Sequence, residues 1–202
     1  MAVTKLPKRA GRPRSFNEDE ALERAMQVFW RKGFEGASLN DLTAAMGIQP
    51  ASLYQAFGNK RTLFEKALAL YLAGPVAFVH GALSERTAYD VAERMLRRTA
   101  EFLTEGRSRN GCMTIQAALA SGVEGEPVRK KLIALRVKEQ EALRLRFEQA
   151  KLEGDLPSHA DAADLARFVT AVYQGMTVQA INGASREDLI RLSNTALQIW
   201  PK

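Results

Sequence analysis

Cysteine and histidine are scarce in this chain, which restricts the disulfides and metal sites that it can form. Its 202 residues include one cysteine, Cys112, so no disulfide can form within the chain, which fits a reducing compartment. The two histidines, His80 and His159, are far apart in the sequence and lack the spacing of metal ligands. We therefore predict neither a metal site nor a cofactor.

Catalytic motifs and long apolar runs are missing as well. The sequence has no glycine-rich phosphate loop, no Gly-x-Ser-x-Gly and no His-Glu-x-x-His, so an enzyme is the most distant alternative. The apolar run of residues 67–79 is too short to cross a membrane and is interrupted by Gly74 and Pro75. The N-terminus lacks the apolar segment of a signal peptide, so we expect a cytoplasmic protein that binds no membrane.

The stretch from Leu39 to Phe57 has the pattern of two short helices joined by a glycine turn. Ser38 can cap the first helix, and Asp41, three residues later, can complete a capping box. Gly47 follows the last apolar residue, where a left-handed conformation commonly ends a helix. Pro50 suits the first turn of the second helix because it has no amide hydrogen to leave unpaired. Such a helix-turn-helix is typical of proteins that read the major groove of DNA, although many other all-helical proteins also contain two short helices around a glycine.

The second helix of this pattern has an inward and an outward side. Leu53 and Phe57 fall on the inward side. Asn59 can cap the helix that follows, whose free amide end and Lys60 would both favour a phosphate. We predict that DNA is contacted by Ser38 and Lys60 together with Gln49, Ala51, Ser52, Tyr54 and Gln55.

The positive charge is concentrated at the N-terminus. The formal net charge is +6, and residues 1–14 hold five basic residues and no acidic one, Lys5, Lys8, Arg9, Arg12 and Arg14. An arm of this composition is expected to be disordered in isolation. It is either a solubilising tail or, placed directly before a helix-turn-helix, an arm in which Arg12 and Arg14 follow phosphates or enter a minor groove.

Residues within the helix-turn-helix pattern and on either side of it together form a specific combination. They are Gly-Arg-Pro-Arg at 11–14, Ala25, Phe29, Gly33, Phe34, Ala37 to Leu39, Gly47, Ile48, Leu53, Tyr54, Phe57 to Lys60, Leu63 and Phe64. With them, the chain from Phe16 to Phe64 resembles the N-terminal domain of the TetR/AcrR family of bacterial transcriptional regulators. Two positions depart from the family pattern, since Thr43 replaces the usual Ala and Ala56 replaces a larger aromatic or polar residue.

Helical periodicity continues beyond Leu72 without further motifs, and strand-like alternation is nowhere convincing. The predicted helices are bounded by Thr87 and Gly106, Met113 and Ala120, Glu126 and Gly154, Ala160 and Ile181, and Ser185 and Ile199. We predict an all-α fold. It comprises a basic arm at 1–15, a three-helix helix-turn-helix domain at 16–72, and a larger helical domain at 73–202. The family resemblance implies that this last domain binds a ligand and forms the dimer.

The last two predicted helices carry more apolar surface than one core face requires. Burial within one chain accounts for part of it, and the family resemblance implies that the rest pairs two copies through a four-helix interface. The predicted interface residues are Phe168, Val172, Gly175, Met176, Leu189, Leu192 and Ala196.

The resemblance also implies a ligand cavity among the helices spanning 88–178. Its predicted lining is Met95, Phe102, Met113, Gln116, Phe147, Phe168, Tyr173 and Gln174, although each of these residues could instead belong to a plain core. Cys112, at the start of a predicted helix, is either a reactive thiol that senses a reagent or a small buried apolar residue.

These features predict a homodimeric regulator that binds double-stranded DNA in a sequence-specific manner. The favoured version is a repressor that leaves a palindromic operator when an unknown small-molecule or reactive effector engages the C-terminal domain. The alternative is an effector-independent DNA-binding protein or an activator. The helix from Lys60 to Leu72 is the predicted lever between the two domains.

Overall fold

The structure, a computed structural model, describes residues 16–106, 111–115 and 125–201. The basic arm with Arg12 and Arg14, Gln116 and the second half of the helix predicted at Met113 to Ala120 lie outside these ranges. Every regular element in the described ranges is helical, which confirms the all-α prediction. The helices are α1 (Glu18–Gly36), α2 (Leu39–Met46), α3 (Pro50–Phe57), α4 (Lys60–Ala73), α5 (Ala77–Ala82), α6 (Ala88–Thr104), α7 (Glu126–Leu152), α8 (Ala162–Ile181) and α9 (Arg186–Gln198), with a helical turn at 113–115.

The helix boundaries around the turn follow from local hydrogen bonds. The Ser38 hydroxyl accepts from the Asp41 amide at 3.0 Å, and the Asp41 carboxylate accepts from the Ser38 amide at 3.1 Å, which completes the predicted capping box. Gly47 ends α2 in the left-handed conformation at φ 68°, and Pro50 opens α3. Asn59 caps α4 by accepting from the Thr62 amide at 2.9 Å. Each of these predicted ends is confirmed.

The N-terminal helices share a core formed mainly by α1 and α4. Phe29 and Phe34 of α1 both meet the ring of Phe64 of α4 edge to face, at centroid distances of 5.1 and 5.4 Å. Leu42 of α2 and Leu53 of α3 are completely buried in the same core. The two short helices are therefore held in place by tertiary packing, because eight residues are too few for a helix to persist alone.

The C-terminal helices α6 to α9 pack on one another, and α5, which the sequence analysis did not predict, links them to α4. The loop before α6 is fastened to α7 and to the segment after it. The Arg146 guanidinium of α7 donates to the Glu85 and Arg86 carbonyls at 3.0 and 2.9 Å. The Ala88 amide donates to Asp155 at 2.6 Å. These bonds fix where α6 begins relative to α7.

Three of the predicted dimer-interface residues lie on the core side of their helices. Met176, Leu189 and Ala196 are buried within the single chain, with exposed fractions of 0, 1 and 7%. They pack in the core between α8, α9 and the rest of the chain, and so do not form an outward surface. The prediction for these three is wrong, because apolar residues occur on two sides of α8 and α9 and periodicity does not show which side faces the core.

Helix α1 is broken at Gly33, whose φ of 69° and ψ of −179° are not helical. Positive φ is costly for a residue with a Cβ, even though no atom lies within 4 Å of the place where a Gly33 Cβ would stand. The break lets the last turn of α1, with Phe34, change direction before α2 begins.

Replacing Gly33 with Ala should lower the free energy of unfolding by about 1–2 kcal/mol, because the added Cβ would strain its own backbone at positive φ without meeting a neighbouring side chain. Gly36→Ala is the matched control, since Gly36 has an ordinary helical conformation and its Cβ would meet only the Lys32 side chain at 3.6 Å. Urea denaturation of both variants measures the effect. Equal stability of the two variants would contradict a conformational requirement at Gly33.

Candidate DNA-reading surface

The outward side of α3 presents a group of side chains that are free to meet another molecule. Gln49, Ala51, Tyr54 and Gln55 are exposed, with 48% of Tyr54 accessible, and Ser52 is half-buried. The opposite side of the helix is held by Leu53 and Phe57, which are 0 and 3% exposed. The predicted division of α3 into an anchored side and an open side therefore matches the structure, whereas the DNA contacts themselves remain a prediction.

A groove of about 400 Å³ lies between α2 and the start of α3. Gln49 and Pro50 line it together with Asn40 and Thr43, two residues that the sequence analysis did not select. The Thr43 hydroxyl already donates to the Leu39 carbonyl at 2.9 Å, which leaves the exposed Asn40 as the freer polar group. Its position two residues after the Ser38 cap, in the first turn of α2, was the available signal.

Lys60 lies at the first residue of α4 but is directed back toward α1. Its ammonium is 3.4 Å from the Glu35 carbonyl oxygen and 4.8 Å from the centroid of the Phe34 ring. In the free protein Lys60 therefore stabilises the C-terminal end of α1. Arg61, the next residue, is exposed, and the first turn of α4 contains no acidic residue, so this helix end is positive.

A buried polar cluster lies where α4 and α8 meet the segment around Cys112. The Cys112 sulfur is 3.5 Å from the hydroxyls of both Tyr71 and Tyr173 and 3.1 Å from the Thr114 hydroxyl. The Tyr71 hydroxyl also accepts from the Met113 amide at 3.3 Å. Desolvation raises the pKa of both tyrosines well above the usual value, so both hydroxyls stay protonated.

The predicted cavity residues are divided among different parts of the C-terminal domain. Cys112, Met113 and Tyr173 come together, and Met95 is buried in the core. Phe102 stacks on Trp30, and Phe147 contacts Trp200. Phe168 and Gln174 are half-buried on α8. A pocket of about 570 Å³ between the ends of α6 and α8 and the start of α9 contains none of the predicted residues; its lining is Leu103, Thr104, Ala180, Ile181, Gly183, Ala184, Ser185 and Arg186.

Glu139 of α7 is a further residue that the sequence analysis did not select. Its carboxyl group is largely removed from water, which raises its pKa to about 7, while the positive charge of Arg136 opposes the shift. A negative charge on Glu139 further raises the pKa of Tyr173 in the buried cluster. No sequence signal distinguishes Glu139 from the other charged residues of α7, because its burial depends on neighbouring helices.

The parts of the chain that the structure describes contain no cluster of three or more histidine, cysteine, aspartate or glutamate residues able to hold a metal ion. None of their helices has the length and apolarity needed to span a membrane.

Comparison with known proteins identifies the family. Residues 21–67 match the bacterial regulatory proteins of the tetR family, and residues 92–191 match the tetracyclin repressor-like C-terminal domain. The chain is also 30% identical to the transcriptional repressor ComR of Escherichia coli K12 over 197 residues, which cover 96% of this chain and 94% of ComR. This chain belongs to the TetR family. The predicted resemblance is confirmed, and the protein is a DNA-binding transcriptional regulator and not an enzyme.

Other relatives extend this likeness to solved structures. A cysteine-substituted form of the TetR family transcriptional regulator CifR, complexed with 26-bp double-strand operator DNA, is 41% identical and covers 95% of this chain and all of that one, with a TM-score of 0.90. A TetR regulator from Rhodococcus sp. RHA1 is also 41% identical, covers 90% of this chain and 98% of that one, and has a TM-score of 0.63. The transcriptional repressor BdcR of E. coli K12 is 32% identical over 57% of this chain and 59% of its own length.

The raised pKa of Glu139 predicts a specific pH dependence of stability. A carboxyl group that is more basic when folded stabilises the protein below its unfolded pKa of 4.5 and loses this contribution as the pH rises through about 7. Glu139→Gln should therefore be more stable than the wild type at pH 8 by roughly 1–3 kcal/mol, and this advantage should disappear near pH 4. Denaturation of both proteins from pH 4 to 8 measures the difference.

Glu141→Gln is the matched control for this experiment. Glu141 pairs with Arg144 at 2.8 Å, which lowers its pKa, so Glu141 stays charged from pH 6 to 8. The control should differ from the wild type by a constant amount over that range. A constant difference for Glu139→Gln as well would contradict the burial of the Glu139 carboxyl.

Proposed function

We propose that this protein is a homodimeric repressor that binds a palindromic operator through α3 and leaves it when an effector engages the C-terminal domain. The observation that carries the proposal is the exposed side of α3, which bears polar side chains. The opposite side of the helix is anchored in the core by the buried Leu53 and Phe57. Its relatives ComR and BdcR are repressors, and CifR forms a complex with operator DNA. We place the protein in the cytoplasm, where such an operator would be.

Base contacts would come from α3, and backbone contacts from its surroundings. A glutamine amide can pair with the N6 and N7 atoms of adenine through two hydrogen bonds, which suits Gln49 and Gln55, while Ser52 can meet either a donor or an acceptor. Tyr54 and Ala51 lie on the same open side. Ser38, Lys60 and the arm residues Arg12 and Arg14 would meet phosphates or the minor groove, and these contacts set affinity more than specificity.

The proposed dimer interface is the outward face of α8 and α9. Exposed apolar side chains lie on both helices and directly after α9, with accessible fractions of 45% at Val178, 36% at Leu192 and 65% at Ile199. Gly175 is exposed on α8 and would allow a close approach of a second helix. Phe168 and Val172 are half-buried beside this face. Pairing two such faces around a two-fold axis would bury the apolar residues and match the symmetry of a palindrome.

The proposed effector acts by shifting a population. A molecule that binds both forms of the dimer equally does not change their populations. The effector must therefore prefer the form in which the distance between the two α3 helices does not fit the two half-sites. Helix α4 is the proposed lever, because its first turn follows α3 and Tyr71, near its other end, contacts Cys112. The effector is either a small molecule held among the C-terminal helices or a reagent that modifies the Cys112 thiol, which is only 1% exposed.

Removing polar groups from the open side of α3 tests the DNA-reading proposal. Gln55→Ala or Ser52→Ala should each weaken cognate binding by roughly 1–3 kcal/mol when a base contact is lost, with little effect on unrelated duplexes. Gln149→Ala is the control, because Gln149 is an exposed glutamine on α7, outside the helix-turn-helix. Gel-shift titrations against cognate and unrelated duplexes measure both. Unchanged cognate affinity in both α3 variants would remove these residues from the reading surface.

A charge placed on the proposed dimer face should dissociate the two copies. Val178→Glu would bury an unpaired carboxylate in the interface, so we expect monomers at micromolar concentration in sedimentation experiments. Val137→Glu is the matched control, because Val137 is an exposed valine on α7, with an accessible fraction of 64%, and is not part of the proposed interface. The control should remain a dimer. A dimeric Val178→Glu together with a monomeric Val137→Glu would place the interface on α7 instead.

A further inference from the structure

Trp30 of α1 forms a direct hydrogen bond with the C-terminal domain, which we call the regulatory domain. Its indole nitrogen donates to the Gly111 carbonyl at 2.6 Å, and the side chain is only 3% exposed. The two residues are 81 positions apart, so the bond joins the helix-turn-helix domain to the segment next to Cys112. A buried donor that loses its acceptor carries a desolvation penalty, so α1 and Gly111 should move together or the penalty is incurred.

Aromatic packing surrounds this hydrogen bond with residues from both domains. The Trp30 ring meets Tyr71 of α4 edge to face at 4.9 Å and stacks on Phe102 of α6 at 5.7 Å. Tyr71 in turn bonds to the Cys112 sulfur and the Met113 amide. Gly111, Cys112 and Met113 are therefore all held by side chains of α1 and α4. Displacing these three consecutive residues would disturb both helices.

A second hydrogen bond joins the other side of the break in α1 to the residue directly before α7. The Gly125 amide, directly before α7, donates to the Glu35 carboxylate at 2.8 Å. Trp30 precedes Gly33 by three residues and Glu35 follows it by two, so the non-helical residue lies between two attachments. Gly33 gives α1 a point at which its two parts can reorient.

Helix α1 also packs against α2, the first of the two helices of the helix-turn-helix; we call α2 and α3 the reading helices. Lys32 pairs with Asp41 of α2 at 2.6 Å, and Phe29 packs in the core that buries Leu42 and Leu53. A change in the direction of α1 would thus be passed directly to α2, which packs on α3.

We propose that Trp30 couples the regulatory domain to the DNA-reading domain, so that an effector that displaces residues 111–113 acts on α1 through the Trp30 to Gly111 hydrogen bond in addition to α4. The inference rests on the proposed function and adds a second route to it. Coupling between two sites is reciprocal, so operator DNA must also change the behaviour of residues 111–113. This consequence is testable without knowledge of the effector.

The test follows alkylation of Cys112 by iodoacetamide, with and without a duplex selected by the wild-type protein from a random pool. Any adduct identifies Cys112, because the chain has no other cysteine. Operator should slow the alkylation of the wild type about fivefold or more, since binding favours the form in which residues 111–113 stay in place. In Trp30→Phe, which keeps an aromatic ring but loses the donor, the duplex should still bind but should slow the reaction less than it does in the wild type, because only the contacts of Tyr71 remain.

Trp200→Phe is the matched control, because Trp200 is the only other tryptophan and packs on Phe147 and Tyr89, away from this bond. It should show the wild-type slowing. A purely structural role of Trp30 would alter the unfolding temperature while leaving the ratio of the two rates unchanged, and that result would overturn the proposal.

The remaining outcomes are also decisive. If Trp30→Phe does not fold, the Trp200→Phe protein keeps Trp30 as its single indole, whose emission must shift when the duplex binds; an unchanged spectrum overturns the proposal. If the wild type binds a selected duplex but its alkylation rate does not change, the coupling is wrong and the proposed function stands. If no duplex is enriched from the pool, the proposed function itself fails.

Discussion

The packing of α1 against α4 is the interaction on which the other features depend. Phe29 and Phe34 enclose the ring of Phe64, and the surrounding side chains of α2 and α3 are buried against this group. Removing a buried phenylalanine from such a site commonly costs about 3–5 kcal/mol. The reading helices are too short to hold their shape alone, so their orientation is set by these two longer helices.

The position of α1 gives it two partners. One side meets the reading helices, and Trp30 meets residues of the regulatory domain. Helix α4 has the same double role, with its first turn beside α3 and Tyr71 beside Cys112. In the proposed mechanism, a signal in either direction would cross these two helices, which share one aromatic core. Because a close-packed core has few alternative arrangements, a small displacement near Cys112 would change the orientation of a reading helix by a discrete step.

The features that could be predicted from sequence are those decided by neighbouring residues. The Ser38 and Asp41 box, the left-handed Gly47 and the Asn59 cap depend on contacts within three or four positions, and all were predicted correctly. The bond from Trp30 to Gly111 and the burial of Glu139 depend on residues that folding brings together, so no local pattern indicates them. The error at Met176 and Leu189 has a related cause, because apolar residues on two sides of a helix do not show which side meets the core.

Methylation interference on the selected duplex shows which guanines the protein contacts. Two copies of α3 related by a two-fold axis should contact bases in two half-sites, with centres about one helical turn, or a multiple of it, apart. We expect methylation of guanine N7, which lies in the major groove, to block binding at symmetric positions in both half-sites. A single unsymmetric cluster of blocking guanines, or none in the major groove, would contradict a dimer that reads DNA through α3.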